Sequence, residues 1–467
     1  MNEDLWSVDN RIRLHFTKLS QNNKCVVEYV WINIDDQKQW SLKSKTRTLD
    51  SEPKELGEIP IWSCKPQKEE EELTYLKPVA LFRDPIRQGD NKIVLCESFD
   101  KDWNHHPTDT RHSCATAMEQ FSDDEPQFGM DQEFALLDRQ GFPIGWPHHG
   151  FPRMGGHYYC GVGAGNVSGR DVIESHYRAC IYAGVNIWST NSEPLPGMWE
   201  FELGVCEGIE MGDHLWMARY LMYRIADDFN CMPSFKPKPV IHGAHLVPRL
   251  RCCTNFSTAN MRKDGGLKFI EAAITRLSQT HNEYLEFEQS KGSCVVTKPT
   301  NKTKRLMMPP PTRSNPRRHP KSPVSAPCDG SVLASSPRGR VTPLAQQTEE
   351  NTSAARALST REQLFRIPLH VTNADKGYMQ DRRPDSSCDP YVITEQIVRT
   401  VCSVRRRISG PLMYNRGFLS LDGQRVGSPQ AQGPTTMLQT RNRTGGGGPP
   451  PVAGNRAHMQ IRGLPKA

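Results

Sequence analysis

Phe128-Gly-Met-Asp-Gln-Glu-Phe-Ala-Leu-Leu137 is the stretch on which the reading of this chain turns. It reads as a β-strand. Successive strand side chains point to opposite faces, so Asp131 and Glu133 present their carboxylates on the same side. Farther along, Glu193 lies in a Pro-rich turn and Glu200 on the short strand Trp199-Glu-Phe-Glu-Leu203. Four acids on strand edges supply the oxygen ligands that Mg²⁺ and Mn²⁺ require, and carboxylates that hold Mg²⁺ usually serve phosphate chemistry. Alternating acids also fit a solvated strand face, so spacing alone leaves both readings open.

Around this stretch the chain divides by composition. Its 467 residues are enough for two domains. The mean hydropathy is −0.63 and no run of 18 apolar residues occurs, so no membrane span is expected. The start, Met1-Asn-Glu-Asp-Leu-Trp6, lacks the apolar core of a signal peptide, which makes the cytoplasm the expected compartment. The 14 cysteines then read as reduced thiols. The net charge of +7 is unevenly placed. Residues 297–360 hold 11 Lys and Arg against 3 acids, and residues 404–467 hold 10 against 1, so these stretches contribute +17 and the remainder carries −10. Nucleic-acid binding would have to rest on the two basic appendages, and the acidic remainder argues against it.

Residues 24–48, with Cys25-Val-Val-Glu-Tyr-Val-Trp-Ile-Asn33, alternate apolar and polar side chains and predict strands of a small N-terminal β domain. From about residue 113, strands mix with helices. Asp213 is the expected N-cap of a helix whose apolar face carries Leu215, Ala218, Leu221, Met222, Ile225 and Phe229. A second helix is expected over 171–183, stopped by Gly184, and a third over about 267–288, with Ile270, Ile274, Leu277 and Leu285 as its stripe. Residues 297–360, densest at Met308-Pro-Pro-Pro-Thr-Arg-Ser-Asn-Pro-Arg-Arg-His-Pro320, and residues 404–467 are too polar and proline-rich to offset the entropy of ordering. They predict a disordered insert and tail.

Many short words, in order, resemble glutamine synthetase of the eukaryotic type. They include Lys45-Thr-Arg-Thr-Leu-Asp-Ser-Glu-Pro53, Phe82-Arg-Asp-Pro85, Tyr158-Tyr-Cys-Gly-Val-Gly-Ala164, Gly169-Arg-Asp171 and His176-Tyr-Arg-Ala-Cys180. They continue with Cys206-Glu-Gly208, Met211-Gly-Asp-His-Leu-Trp216, Thr254-Asn-Phe-Ser-Thr258 and Asp381-Arg-Arg-Pro384. The resemblance spans about residues 10–296 and 361–403. It implies an α+β fold: a β-grasp domain over 1–112, then a catalytic domain over 113–403 with a curved antiparallel sheet and flanking helices, interrupted by 297–360. It also implies ATP and Mg²⁺ or Mn²⁺ as cofactors, glutamate and ammonia as substrates, and a homo-oligomer of two stacked pentameric rings.

By resemblance, one metal's three Glu ligands fall on Glu133, Glu193 and Glu200, all intact. The second metal's Glu, His and Glu fall on Asp131, Cys253 and Gln380. Asp131 is a methylene shorter, withdrawing its oxygen by roughly 1.5 Å; Cys253 offers soft sulfur, better suited to Zn²⁺; Gln380 has lost the charge. Arg366 and Arg382 match arginines that clamp phosphate and nucleotide. Arg361 and Arg305 fall on substrate-binding arginines, and Asn255 and Ser257 on the nucleotide edge, while Gln127 replaces an adenine-stacking Trp. The loop whose Asp deprotonates ammonium is replaced by Ile61-Trp-Ser-Cys-Lys-Pro-Gln-Lys-Glu-Glu-Glu-Glu72, the glutamate cradle by Val247-Pro-Arg-Leu-Arg251, and the flap by Met-Met-Pro-Pro-Pro after Leu306. The implied function is an ATP-dependent glutamate–ammonia ligase of impaired activity. The alternatives are a non-catalytic relative that keeps fold and assembly, or an interaction protein acting through its Pro-rich insert.

Overall fold

Strand β1 (Cys25–Ile34) runs antiparallel to β2 (Trp40–Leu49) in unbroken register, as the alternation over 24–48 predicts. The computed structural model describes residues 15–35, 39–64, 73–147, 150–153, 156–239, 249–284 and 364–403. The predicted insert over 297–360 and tail over 404–467 lie outside them. Strands β3 (Trp62–Cys64), β4 (Thr74–Arg83) and β5 (Lys92–Phe99) complete a first sheet in the order β2-β1-β5-β4-β3, with β1 and β5 parallel. Every residue of β5 is buried, because both of its faces are covered. Val94 and Cys96 join Val27, Tyr29 and Leu76 in a small core, while Ile93 and Leu95 pack into the main one. Period-two alternation sends neighbours to different cores, each aliphatic side chain contributing ~1.5–3 kcal/mol.

The second sheet is built from β6 (Gln127–Leu137), β7 (Ile187–Ser192), β8 (Met198–Glu207), β9 (Met232–Ser234), β10 (Cys252–Ser257), β11 (Phe365–Arg366) and β12 (Met379–Asp381). Its order is β11-β12-β10-β6-β8-β7, with β9 also on β6, and every pairing is antiparallel. Bulges at Phe128/Met130 and Ile187/Ser189 interrupt the ladder, and such bulges bend a sheet. Mixed helices and strands around an antiparallel sheet make the fold α+β.

Helices α1 (Arg111–Gln120), α2 (Arg170–Ala183), α3 (Glu210–Asp228), α4 (Leu267–Gln279), α5 (Leu369–Ala374) and α6 (Pro390–Cys402) accompany it. Gly184 ends α2 at φ 89°, a left-handed conformation that glycine adopts without a Cβ penalty. Two expectations need correction at α3. The helix starts at Glu210, and Asp213 sits inside its first turn without capping it. The Asp213 carboxylate is already committed, accepting two hydrogen bonds from Arg111 at 2.8 Å and one from the Tyr391 hydroxyl at 2.6 Å. Gly212 makes room for this contact, since a Cβ there would lie 2.2 Å from the Tyr391 ring. Phe229 follows the last turn and is exposed instead of joining the apolar face. The stripe Ile270, Ile274 and Leu277 packs on the main core from α4, which ends at Gln279; Leu285 lies outside the described residues.

His176, on α2, is fully buried, and its Nε2 donates to the Ala218 carbonyl of α3 at 3.0 Å. Burial holds this imidazole down to about 4, only partly offset by that hydrogen bond. The unfolded chain therefore takes up a proton near pH 6.5 that the folded chain refuses until about 4. Unfolding is thus favoured as pH falls through that window, by ~1.4 kcal/mol per unit. Denaturant titrations at pH 7, 6 and 5 should show the stability gap between the native chain and a His176→Phe variant shrinking at that slope. A gap independent of pH would contradict the buried neutral ring.

Among the described residues all twelve cysteines are free thiols, and no helix is long and apolar enough to cross a membrane.

Candidate metal centre and phosphate edge

The strand register of the second sheet lays polar side chains out in rows across one face. In the first row, Arg366 on β11 pairs with Gln380 on β12, Gln380 with Asn255 on β10, and Asn255 with Gly129 on β6. In the second, Cys253 pairs with Asp131, Asp131 with Glu202 on β8, and Glu202 with Ser189 on β7. In the third, Glu133 pairs with Glu200 and Glu200 with Asn191. The face thus runs from a guanidinium and two amides at one edge to a cluster of carboxylates at the other.

The carboxylate cluster is compact. One oxygen from each of Glu133, Glu193 and Glu200 lies within 4.8 Å of the other two. Glu133 and Glu200 meet as cross-strand partners, and Glu193 reaches them from the turn after β7, held by its N–H on the Met198 carbonyl at 2.9 Å. Asn191 Nδ2 donates to Glu193 Oε1 at 3.1 Å, and the Arg251 N–H donates to Glu133 Oε2 at 2.9 Å. Burial, followed by the carboxylates of Asp131, Glu193 and Glu133, pushes Glu200 up to about 9. Such crowding is costly unless a cation is drawn in, and three convergent carboxylates fit a hard divalent ion.

The neighbouring cluster is built differently. Asn255 Nδ2 donates to Asp131 Oδ1 at 3.0 Å, and Gln380 Nε2 donates to Asp131 Oδ2 at 2.8 Å, so each carboxylate oxygen carries an amide hydrogen. Burial and then Glu202 push Asp131 up to about 7, with these two donors pulling the other way. Cys253 is buried opposite, and burial followed by the Asp131 and Glu133 charges pushes its thiol well above the usual range. Among the described residues Cys253 joins no group of three metal-donor side chains.

The remaining sequence-chosen residues are scattered along the amide edge. Arg366 is exposed on β11. Arg382 follows β12, and its Nε is buried without a hydrogen-bond partner, as is Asn255 Oδ1. Ser257 Oγ accepts from Arg262 at 3.1 Å, and Gln127 donates to Glu207 at 3.0 Å. Arg361 and Arg305 lie outside the described residues. Glu202, which faces Asp131 across β6 and β8, stands two residues from Glu200, the same i, i+2 spacing that Asp131 and Glu133 share, and that spacing is the signal in the sequence that marks it. Of the segment over residues 61–72, Trp62–Cys64 is strand β3, and Lys45 Nζ lies 3.4 Å from the Trp62 ring centroid.

Chain-wide similarity is decisive for ancestry. The chain is 40% identical to the glutamine synthetase of Gallus gallus over 408 residues, covering 86% of this chain and 96% of that one. It is 39% identical to that of Homo sapiens over 410 residues with the same coverage.

The chain belongs to the glutamine synthetase family.

No family model matches it. Among solved structures, ligand-free GmaS and a GmaS/ADP complex share the fold, each at TM-score 0.52 and 14% identity over 80% of this chain and 77% and 78% of theirs. Within the glutamine synthetase frame, the residues test differently against the family's metals. Glu133, Glu193 and Glu200 fit a hard cation by donor type and distance. Asp131, Cys253 and Gln380 do not, because the carboxylate is taken by amides and the other two donors are a soft thiol and an uncharged amide.

Proposed function

We propose that this chain is an ATP-dependent ligase that amidates glutamate with ammonia through γ-glutamyl phosphate, at a rate reduced from that of its relatives. The observation that carries the proposal is the convergence of Glu133, Glu193 and Glu200 within 4.8 Å on the sheet face, in a chain 40% identical to a relative over nearly its full length. These three side chains would hold Mg²⁺ or Mn²⁺, which when bound supplies charge neutralisation for a carboxylate or phosphate oxygen. Arg366 and Arg382 stand at the opposite edge, where guanidinium groups suit phosphate oxygens; the unpartnered Nε of Arg382 is a donor in reserve. Asn255 and Ser257 would border the nucleotide, and Arg305 and Arg361 would bind substrate. A cytoplasmic double ring of subunits, and a β-grasp unit over 1–112 ahead of the catalytic domain, belong to the same reading.

The reduction in rate follows from the donor changes. Transition-state contacts of this kind are worth ~10²–10³ each, and Asp131, Cys253 and Gln380 alter a whole set. A second reading, a relative that keeps fold and assembly without catalysis, is favoured by the hydrogen bonds that occupy Asp131. Glutamine formation by the purified chain, with ATP, ammonia and glutamate in Mg²⁺ or Mn²⁺, separates the two. Product lost on chelation, formed at least ~10²–10³-fold more slowly than by a relative assayed alongside, supports the ligase. No product from a protein of ring size by light scattering supports the second reading.

A further inference from the structure

We infer that this chain binds a single divalent cation per subunit, and that two amides, Asn255 and Gln380, hold Asp131 where a second cation would otherwise sit. The inference rests on the reading of Glu133, Glu193 and Glu200 as a cation site and adds what the adjacent row does. Asp131 has two carboxylate oxygens, and each accepts an amide N–H, from Asn255 at 3.0 Å and from Gln380 at 2.8 Å. A cation approaching Asp131 must displace one of these donors. For Gln380 to offer its own oxygen instead, the amide must turn its N–H₂ away from Asp131. The same holds for Asn255, whose Oδ1 is buried and unpartnered in the present orientation. Both amides are thus oriented by the carboxylate they serve.

Charge separates the two rows further. The Glu133, Glu193 and Glu200 group brings three carboxylates together. The Asp131 row brings two, Asp131 and its cross-strand partner Glu202 on β8, with a sulfur at Cys253 on β10 and a neutral amide at Gln380 one strand farther out. Affinity for hard cations rises with the number of charged oxygen ligands, so the glutamate row fills first. Two residues of strand separate Asp131 from Glu133, about 7 Å, which sets a second cation against the field of the first.

Mn²⁺ titration of the purified full-length chain, followed by the loss of the free-ion electron paramagnetic resonance signal and by calorimetry, reads the count directly. One Mn²⁺ per chain is expected. Asp131→Asn should leave that count at one, and Glu200→Gln should remove it. Gln380→Glu places a further carboxylate against Asp131 and should raise the count to two, with a melting temperature that climbs on adding Mn²⁺. Two ions per native chain would overturn the inference and leave the glutamate site standing, whereas loss of the single ion in Asp131→Asn would overturn it by placing that ion on Asp131. No ion in the native chain would overturn both. Because Asp131→Asn keeps the size of the side chain, the count remains readable even if Gln380→Glu does not fold.

Discussion

Replacing Arg219 by methionine should destabilise the fold by ~3–5 kcal/mol, the largest effect expected of any single substitution considered for this chain. Arg219 lies on α3 with no solvent exposure. Its Nε and Nη2 donate to Gln132 Oε1 at 3.0 and 2.6 Å, its Nη1 to the Cys388 carbonyl at 2.9 Å, and its Nη2 also to the Ser386 carbonyl at 3.3 Å. The guanidinium carbon stands 4.8 Å from the Trp216 ring centroid and 5.2 Å from that of Trp40, contacts worth ~2 kcal/mol when desolvated. Methionine would fill much of the volume and remain against the aromatic rings, but it has no donors. Gln132 Oε1 and the Cys388 carbonyl would be left buried and unserved, at ~1–3 kcal/mol each.

The consequence reaches the site because Gln132 is the residue between Asp131 and Glu133 on β6, with its side chain on the opposite face. Its own amide donates to the Glu133 carbonyl at 2.8 Å and to Ser386 at 3.0 Å. Arg219→Met should therefore weaken Mn²⁺ binding as well as lower the denaturation midpoint. Guanidinium unfolding followed by circular dichroism measures the first quantity. A loss below ~1 kcal/mol would mean that the arginine's desolvation cost cancels what its hydrogen bonds contribute.

Glu200→Gln should produce two opposite changes. Cation affinity should fall by at least ~10²-fold, since one of three charged oxygen ligands is lost. In the cation-free protein the same change should raise the melting temperature. The carboxylate of Glu200 is pushed up to about 9 by burial and by Asp131, Glu193 and Glu133. The folded chain therefore holds a proton there that the unfolded chain releases near pH 4.5. Stability from this group is present at low pH and is lost as pH rises toward 9. Glutamine carries no such proton, so the advantage of the variant should grow between pH 6 and pH 9 without cation and reverse when Mn²⁺ is added. Thermal melts with and without chelator test both halves. A variant destabilised under both conditions would show that Glu200 serves packing and not a cation.

The two hairpin strands at the start of the chain, the strand around Asp131 and the stop at Gly184 were all legible in the sequence, because alternation and turn chemistry are local. The three glutamates were legible as candidates through the ordered words of the family. Less was legible at Asp213, where an acid in a helix-start pattern is engaged by Arg111 and Tyr391, 102 residues before it and 178 after it. Local rules describe what a side chain does when nothing distant claims it. Phe229 is the apolar counterpart, in period with its helix but beyond the last turn and exposed.

Sequence by itself determined the ancestry, the α+β strand and helix pattern, the separation of basic appendages from an acidic body, and which ligand types are present. Only the tertiary structure decided what those ligands do. Asp131 meets Asn255 across 124 residues and Gln380 across 249. The register of three antiparallel strands puts them in reach of one another, and a slip of one residue would send each to the opposite face. That register is set by the burial of the apolar side chains between them, Phe128, Met130, Phe256 and Met379, so the fate of one carboxylate is fixed by the packing of the core beneath it.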